Sequence, residues 1–134
     1  MKALVLGALL AIGGIAVWFF FNPVAGFGVS RYGLTTYDRL PIPLIDFQVR
    51  PNGDFRRVPK TDDISVDTVA WLMESRPDVL IIATGWKGKA VARPQVRDLG
   101  GYELHILKTG DALPLYNRLR TEGRRVAVHL HSTG

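Results

Sequence analysis

The stretch Thr84-Gly85-Trp86-Lys87-Gly88-Lys89 gathers residue types that could hold an anion. Glycines let a phosphate or carboxylate approach backbone amides, and Lys87 and Lys89 add positive charge. Thr109 to Asp111 opens a second loop, and the amide end of the helix after Asp111 would add partial positive charge. If both loops leave neighbouring strands on one side of a sheet, they form the crevice where α/β sheets bind ligands. The candidate ligand-binding residues are therefore Thr84, Gly85, Lys87, Lys89 and Thr109. The loop lacks both the P-loop spacing and the dinucleotide Gly-x-Gly-x-x-Gly pattern, and a tight solvent-facing turn would use the same glycines.

Trp86, Asn117, Glu122 and Arg124 are candidate partner-binding residues. Glu122 and Arg124 could pair with each other or meet a partner. Equally, arginine suits a helix C-terminus, Gly123 is a stop signal, and an asparagine such as Asn117 can tie loops together by hydrogen bonds. No catalytic residue is assigned, because Ser30 and Ser132 stand outside any nucleophile-elbow context. His129 and His131 fall on one face of a strand, yet no carboxylate or fourth ligand stands near them in sequence, so no metal is expected. There is no cysteine, which excludes disulfides, zinc-thiolate sites and thiol nucleophiles. No cofactor is implied.

The elements that would position these residues form an α/β domain. Ile45, Phe47 and Val49 alternate with polar residues, and Pro51-Asn52-Gly53-Asp54 suits a tight hairpin turn returning through Phe55 to Val58. Ser65 can cap a helix in which Val66, Val69, Ala70 and Met73 share a face, and Pro77 stops it. Val79 to Ala83 is a continuous apolar run, as expected of a central strand covered on both faces. Pro94 to Leu99 is a short helix, and Tyr102 to Leu107 alternates as a strand. Asp111 would cap a helix carrying Ala112, Leu115, Tyr116 and Leu119, with Pro114 in its first turn and Gly123 after its end. Val126 to Leu130 is the last strand. A hairpin followed by alternating strands and helices implies a small mixed sheet flanked by helices.

In front of this domain, Ala3 to Phe21 carries no charge. At 1.5 Å per residue, about 19 residues cover about 28 Å, close to the hydrocarbon thickness of a bilayer. The run is long for a signal-peptide h-region, ends in Trp18-Phe19-Phe20-Phe21, and lacks a small-x-small cleavage site. It therefore reads as a transmembrane anchor over residues 1–22, with an interfacial aromatic belt and a stop at Asn22-Pro23. Residues 23–39 then read as a juxtamembrane linker and edge, and residues 40–134 as the domain. Gly7 and Ala11 follow Ala3 at intervals of four, which places small residues where another membrane helix could approach.

The chain has 17 Lys and Arg against 12 Asp and Glu. Such a modest excess suits a domain near anionic headgroups. It carries no basic run interleaved with aromatics, so nucleic acid is not an expected partner. Arg31 and Arg39 roughly balance Lys2 and the terminal amine, while Arg50, Arg56 and Arg57 tip the expectation toward a cytoplasmic domain.

Two stretches carry a family resemblance: Pro77-Asp78-Val79-Leu80-Ile81-Ile82-Ala83-Thr84-Gly85, and Thr109-x-x-Ala112-x-x-x-Tyr116-Asn117-x-Leu119-x-x-Glu122-Gly123-Arg124-x-Val126-Ala127. They resemble the Mth938-like domain family, which includes a mitochondrial respiratory complex I assembly factor, and the similarity spans roughly Gly33 to His131. The resemblance implies a mixed sheet flanked by helices. This chain departs from the family in having Ala83 before Thr84-Gly85, where a Gly-Thr-Gly turn is usual, and in adding the anchor. The combined expectation is a non-catalytic accessory or assembly factor in a bacterial inner membrane or its equivalent. It would dock on a membrane protein complex such as a respiratory or photosynthetic one. The alternative is a small-molecule (anion) binder or enzyme using Thr84 to Lys89 beside Thr109. The first predicts an exposed apolar or aromatic patch, including Trp86 or Trp71, and the second a ligand-sized pocket.

Overall fold

A computed structural model describes every residue from Met1 to Gly134. The helix α1 (Lys2–Phe21) is long and apolar enough to cross a membrane, and none of its residues is buried within the protein. Asn22 ends it. The buried Asn22 amide donates to the Trp18 carbonyl at 2.8 Å, satisfying an acceptor of the last turn, while its oxygen accepts from the Val29 amide at 2.7 Å. Pro23 then blocks continuation.

Residues 23–39, expected as a linker and edge, also supply Phe27 and Tyr37 to the core. The rings of Phe27, Tyr37, Phe47 and Tyr116 cluster, with Phe27 4.9 Å from Tyr116 and 5.1 Å from Tyr37 between centroids. Such aromatic pairs add about 0.5–1.5 kcal/mol each beyond the area they bury. Residues 23–33 show no helical or strand period, and side-chain bonds from Asn22, Ser30 and Asn117 hold the backbone there. Strands β1 (Leu34–Tyr37) and β2 (Leu40–Pro43) form a hairpin of their own, outside the main sheet. Its two-residue turn is Asp38-Arg39, with φ of 50° and 66°. This is the primed geometry that short hairpins require. For arginine it costs about 1–2 kcal/mol, since only glycine and, less readily, Asn or Asp adopt it routinely.

β3 (Asp46–Val49) and β4 (Phe55–Val58) form the expected antiparallel hairpin. The turn differs in type. Gly53 alone has positive φ, 95°, and its amide bonds the Arg50 carbonyl, so Pro51-Asn52-Gly53 is a three-residue loop instead of an Asn-Gly pair. Pro51 pre-sets the first turn position, and Gly53 supplies the left-handed residue. The short β5 (Asp63–Ile64) precedes α2 (Val66–Met73), which Ser65 and Thr68 close with a reciprocal capping box. The buried face of α2 is Val69 and Leu72, with Ala70 exposed.

β6 (Val79–Ala83) is the central strand, followed by β7 (Val91–Ala92), paired with β5, and α3 (Pro94–Arg97). β8 (Glu103–Leu107), α4 (Thr109–Thr121) and β9 (Val126–Leu130) complete the chain. The main sheet has the order β4-β3-β9-β6-β8, antiparallel from β4 to β9 and parallel from β9 to β8. It is the mixed, helix-flanked sheet expected. Val79, Ile81 and Ala83 face Phe47, Val128, Leu130 and the α4 residues Ala112, Tyr116 and Leu119. Leu80 and Ile82 face Val69 and Leu72 of α2 and Val96 of α3. Each fully buried Val, Leu or Ile stabilises by about 1.5–3 kcal/mol, so a strand apolar on both faces belongs at the centre.

The start of α4 differs from expectation. Lys108 is the N-cap and Asp111 lies exposed in the first turn, so Pro114 falls inside the helix. The helix begins early because Thr109 is pinned: its amide bonds the Gly85 carbonyl and its hydroxyl the His131 carbonyl.

Candidate functional site

The carboxyl ends of β6 and β8 do bring Thr84 to Lys89 and Thr109 together. The Gly85 amide donates to Thr109 Oγ1 at 3.0 Å, and Thr84 Oγ1 donates to the Leu107 carbonyl at 3.1 Å. The crevice between the loops is occupied by the protein itself. After β9 the chain runs through it, and the Trp86 amide bonds the Thr133 carbonyl at 3.0 Å. The Lys87 and Lys89 amides both bond the Gly134 carbonyl, at 3.2 and 3.1 Å. The amides assigned to an anion therefore already have acceptors. Gly85, at φ 103°, is required by the same packing, because a Cβ there would stand 2.4 Å from the Gly134 carbonyl carbon and 2.5 Å from the Thr133 oxygen. Thr109 is fully buried and satisfied. Of the expected ligand set, only the Lys87 and Lys89 side chains are exposed.

The expected partner residues have local roles. Asn117 accepts from the Phe27 amide at 2.8 Å and donates to the Phe27 carbonyl at 2.7 Å, tying residues 23–28 to α4. Glu122 lies 3.9 Å from Arg118 and Arg124 lies 3.6 Å from Glu103, which also meets His105 at 3.1 Å. Glu122 and Arg124 do not pair with each other. Trp86 is half-buried against the α4 core, and its ring would meet a Cβ at Gly110 at 3.1 Å. Trp71 lies under the guanidinium groups of Arg50, at 4.0 Å, and Arg56, at 5.3 Å. On α1, Gly7 and Ala11 remain exposed, with nothing within 4 Å of a Cβ built at Gly7.

A group not foreseen from the sequence centres on Asp46. His131 has a carboxylate neighbour after all: its Nδ1 lies 2.6 Å from Asp46 Oδ2, although 85 residues separate them. Asp46 Oδ1 also accepts from the Ser132 amide at 2.9 Å and from Lys60 Nζ at 2.9 Å. Burial pushes the Asp46 carboxyl up, but the Ser132 amide, Lys60 and His131 outweigh it and hold it below the ordinary carboxylate range. The ionised Asp46 accepts a hydrogen bond from Nδ1–H and fixes the imidazole, whose Nε2 points toward Asp62 Oδ1 at 3.4 Å. His131 lines a shallow cavity of about 300 Å³ together with Tyr32, Lys60, Asp62 and Lys89.

His129 has the opposite character. It is fully buried on the α2 side, where Gln48 Nε2 donates to its Nδ1 at 2.9 Å and to the Thr68 carbonyl at 2.6 Å. Burial pushes its pKa down to about 4, with His131 adding to the effect and Asp46 opposing it. It is a neutral core histidine. The sequence signal for both roles was modest: Asp46 and Gln48 are the polar members of an alternating strand, and only the β3–β9 pairing shows that their side is covered.

The junction of α1 with the domain is also built. The Trp18 indole donates to the Arg39 carbonyl at 3.1 Å, and Arg39 Nε donates to the Asn22 carbonyl at 3.0 Å. The Asp38 carboxylate accepts from the Ala25 amide at 2.7 Å. The end of the helix is thereby joined to the β1–β2 turn without a free hinge.

Comparison with known proteins agrees with this architecture. A conserved hypothetical protein from Pyrococcus horikoshii is 21% identical, with a TM-score of 0.70 over 81% of this chain and 98% of its own. An outer membrane protein from Bartonella henselae is 20% identical, with a TM-score of 0.69 over 85% of this chain and 99% of its own. A Bordetella pertussis protein described as a Mth938-like domain is 19% identical, with a TM-score of 0.56 over 84% of this chain and 90% of its own. At these identities the likeness is one of fold. No curated protein matches the chain. The model of the protein family of unknown function DUF498/DUF598 matches residues 37–131, from the end of β1 to just past β9, and the chain belongs to that family, with the fold of a Mth938-like domain.

Proposed function

We propose that this protein is a non-catalytic accessory factor, tethered to a membrane by α1, whose α/β domain docks on a membrane protein complex. The observation that carries the reading is α1 itself: 20 residues, uncharged from Ala3 onward, with none buried against the domain. Leaving such a helix in water forgoes about 1.5–3 kcal/mol for each Leu, Ile, Val or Phe, whereas a bilayer takes up the whole surface. Gly7 and Ala11 offer a face for close approach of a partner's membrane helix. Five domain arginines, Arg31, Arg39, Arg50, Arg56 and Arg57, favour the cytoplasmic side of a bacterial inner membrane or its equivalent. The self-filled crevice beside β6 argues against catalysis there. Tethering would raise the domain's effective concentration at its target without a large docking surface.

A second reading retains anion binding, moved from the loop amides to the side chains of Lys60 and Lys89 at the His131 cavity. One experiment separates the two. An epitope inserted at the exposed Gly100-Gly101 turn leaves the bonded Gly134 carbonyl undisturbed, and the protein is then solubilised from membranes in mild detergent. Stoichiometric recovery with one defined membrane complex is the expected result. Recovery alone would contradict stable docking and favour the anion reading.

A further inference from the structure

Arg39 stands where glycine or asparagine would fit the backbone better. It is the second central residue of the two-residue β1–β2 turn, at φ 66°, directly after Asp38 at φ 50°. Strained positions persist where surrounding bonds over-determine them, and they cluster where the side chain is used. The bonds are present: the Trp18 indole holds the Arg39 carbonyl, and Arg39 Nε is fixed on the Asn22 carbonyl. The guanidinium carbon also lies 4.4 Å from the centroid of the Phe19 ring, so one face of the fork is covered by an aromatic of α1. The two terminal nitrogens make no hydrogen bond or ion pair within the protein. In the segments that Arg39 joins, Phe20, Phe21, Val24 and Leu40 are each more than half exposed.

We infer that Arg39 binds the phosphate of a phospholipid headgroup, and that Leu40 and the β1–β2 turn rest in the interfacial layer of the bilayer. The inference rests on α1 spanning the membrane. Trp18 to Phe21 then mark the level where hydrocarbon gives way to headgroups. The Trp18 and Asn22 bonds hold Arg39 at that same level. A guanidinium with one edge free presents two parallel N–H donors, the geometry that matches phosphate oxygens, and its fixed Nε and aromatic cover reduce the rotamer freedom lost on binding. Positive charge there complements phosphate, while Val24 and Leu40 meet the upper acyl chains. The domain is thus held in one orientation on the membrane and does not swing on a linker.

The absence of cysteine makes the test direct. Single nitroxide labels are placed at L40C, I12C and V91C in the full chain, reconstituted in nanodiscs of phosphatidylcholine and phosphatidylglycerol, and collision with oxygen and with a nickel chelate is compared. Ile12 is expected deepest, Leu40 intermediate, and Val91, exposed on the domain, in water. Arg39→Gly relaxes the turn, so the domain should melt no lower, while the Leu40 label shifts to the accessibility of Val91. In unlabelled discs, ³¹P dephasing of the arginine ¹³Cζ signal should lose one component in Arg39→Gly. A Leu40 label as open as Val91 while Ile12 is shielded would overturn the inference and leave the anchor standing. An Ile12 label open to nickel would overturn both. Unchanged ³¹P dephasing in Arg39→Gly would overturn the phosphate assignment and point to a partner carboxylate.

Discussion

His131 Nδ1 stands 2.6 Å from Asp46 Oδ2, and both side chains are buried. The pair fastens the chain just beyond β9 to the start of β3 and fixes where residues 131–134 cross the carboxyl end of β6. Because Asp46 is held below the ordinary carboxylate range, its contribution is present above about pH 3.9, the unfolded value, and is lost as pH falls through its lower folded value. Asp46→Asn should cost about 3 kcal/mol at neutral pH, since it leaves Lys60 and His131 without their charged partner. Urea unfolding at pH 7 measures this, and a loss under about 1 kcal/mol would place the pair outside the stability of the fold.

His129 sets a second, separate pH window. Its folded pKa of about 4 lies below the unfolded value of 6.5, so between these values the unfolded chain binds the extra proton. Stability is therefore complete above pH 6.5 and falls as pH drops toward 4, by about 3 kcal/mol at 1.36 kcal/mol per unit. His129→Gln should lower stability at pH 7 yet flatten this slope. A slope equal to the parent's would contradict the assignment.

Gly85→Ala tests the self-filled crevice. A Cβ at φ 103°, within 2.5 Å of two backbone atoms, cannot be accommodated unless Thr133 and Gly134 leave. The expected cost is about 3 kcal/mol, and the amides of Trp86, Lys87 and Lys89 should exchange much faster with solvent. Unchanged exchange would mean that the crevice is open.

Asn117→Ala removes both bonds to Phe27 and leaves that residue's amide and carbonyl unpaired at the edge of the aromatic cluster. The expected loss is about 2 kcal/mol, with cleavage by proteases appearing between residues 23 and 28 before global unfolding. Protection of that segment in the variant would show that the aromatic packing of Phe27 alone suffices.

How much could be read beforehand follows from sequence distance. Val79 to Ala83 declares itself as a central strand because both faces are apolar within one run, and Ser65 declares a helix start because its cap partner is Thr68. Asn117 with Phe27 and Asp46 with His131 lie 90 and 85 residues apart, and no local pattern records them. The crevice looked like a ligand site because glycines permit an anion and a neighbouring backbone equally. Residues 23–33 looked like a linker because side-chain bonds from Asn22, Ser30 and Asn117 and a few turn bonds hold them before the short β1 ladder begins. Arg39 contradicts the local rule for its turn, and such contradictions gather at strained or functional positions.

The most direct test of the central claim is the intact mass of the protein recovered from membranes after an alkaline carbonate wash. A chain retaining residues 2–21, found in the pellet and released only by detergent, is the predicted result. A shortened chain lacking that helix, or the whole chain in the wash, would contradict a membrane-tethered domain.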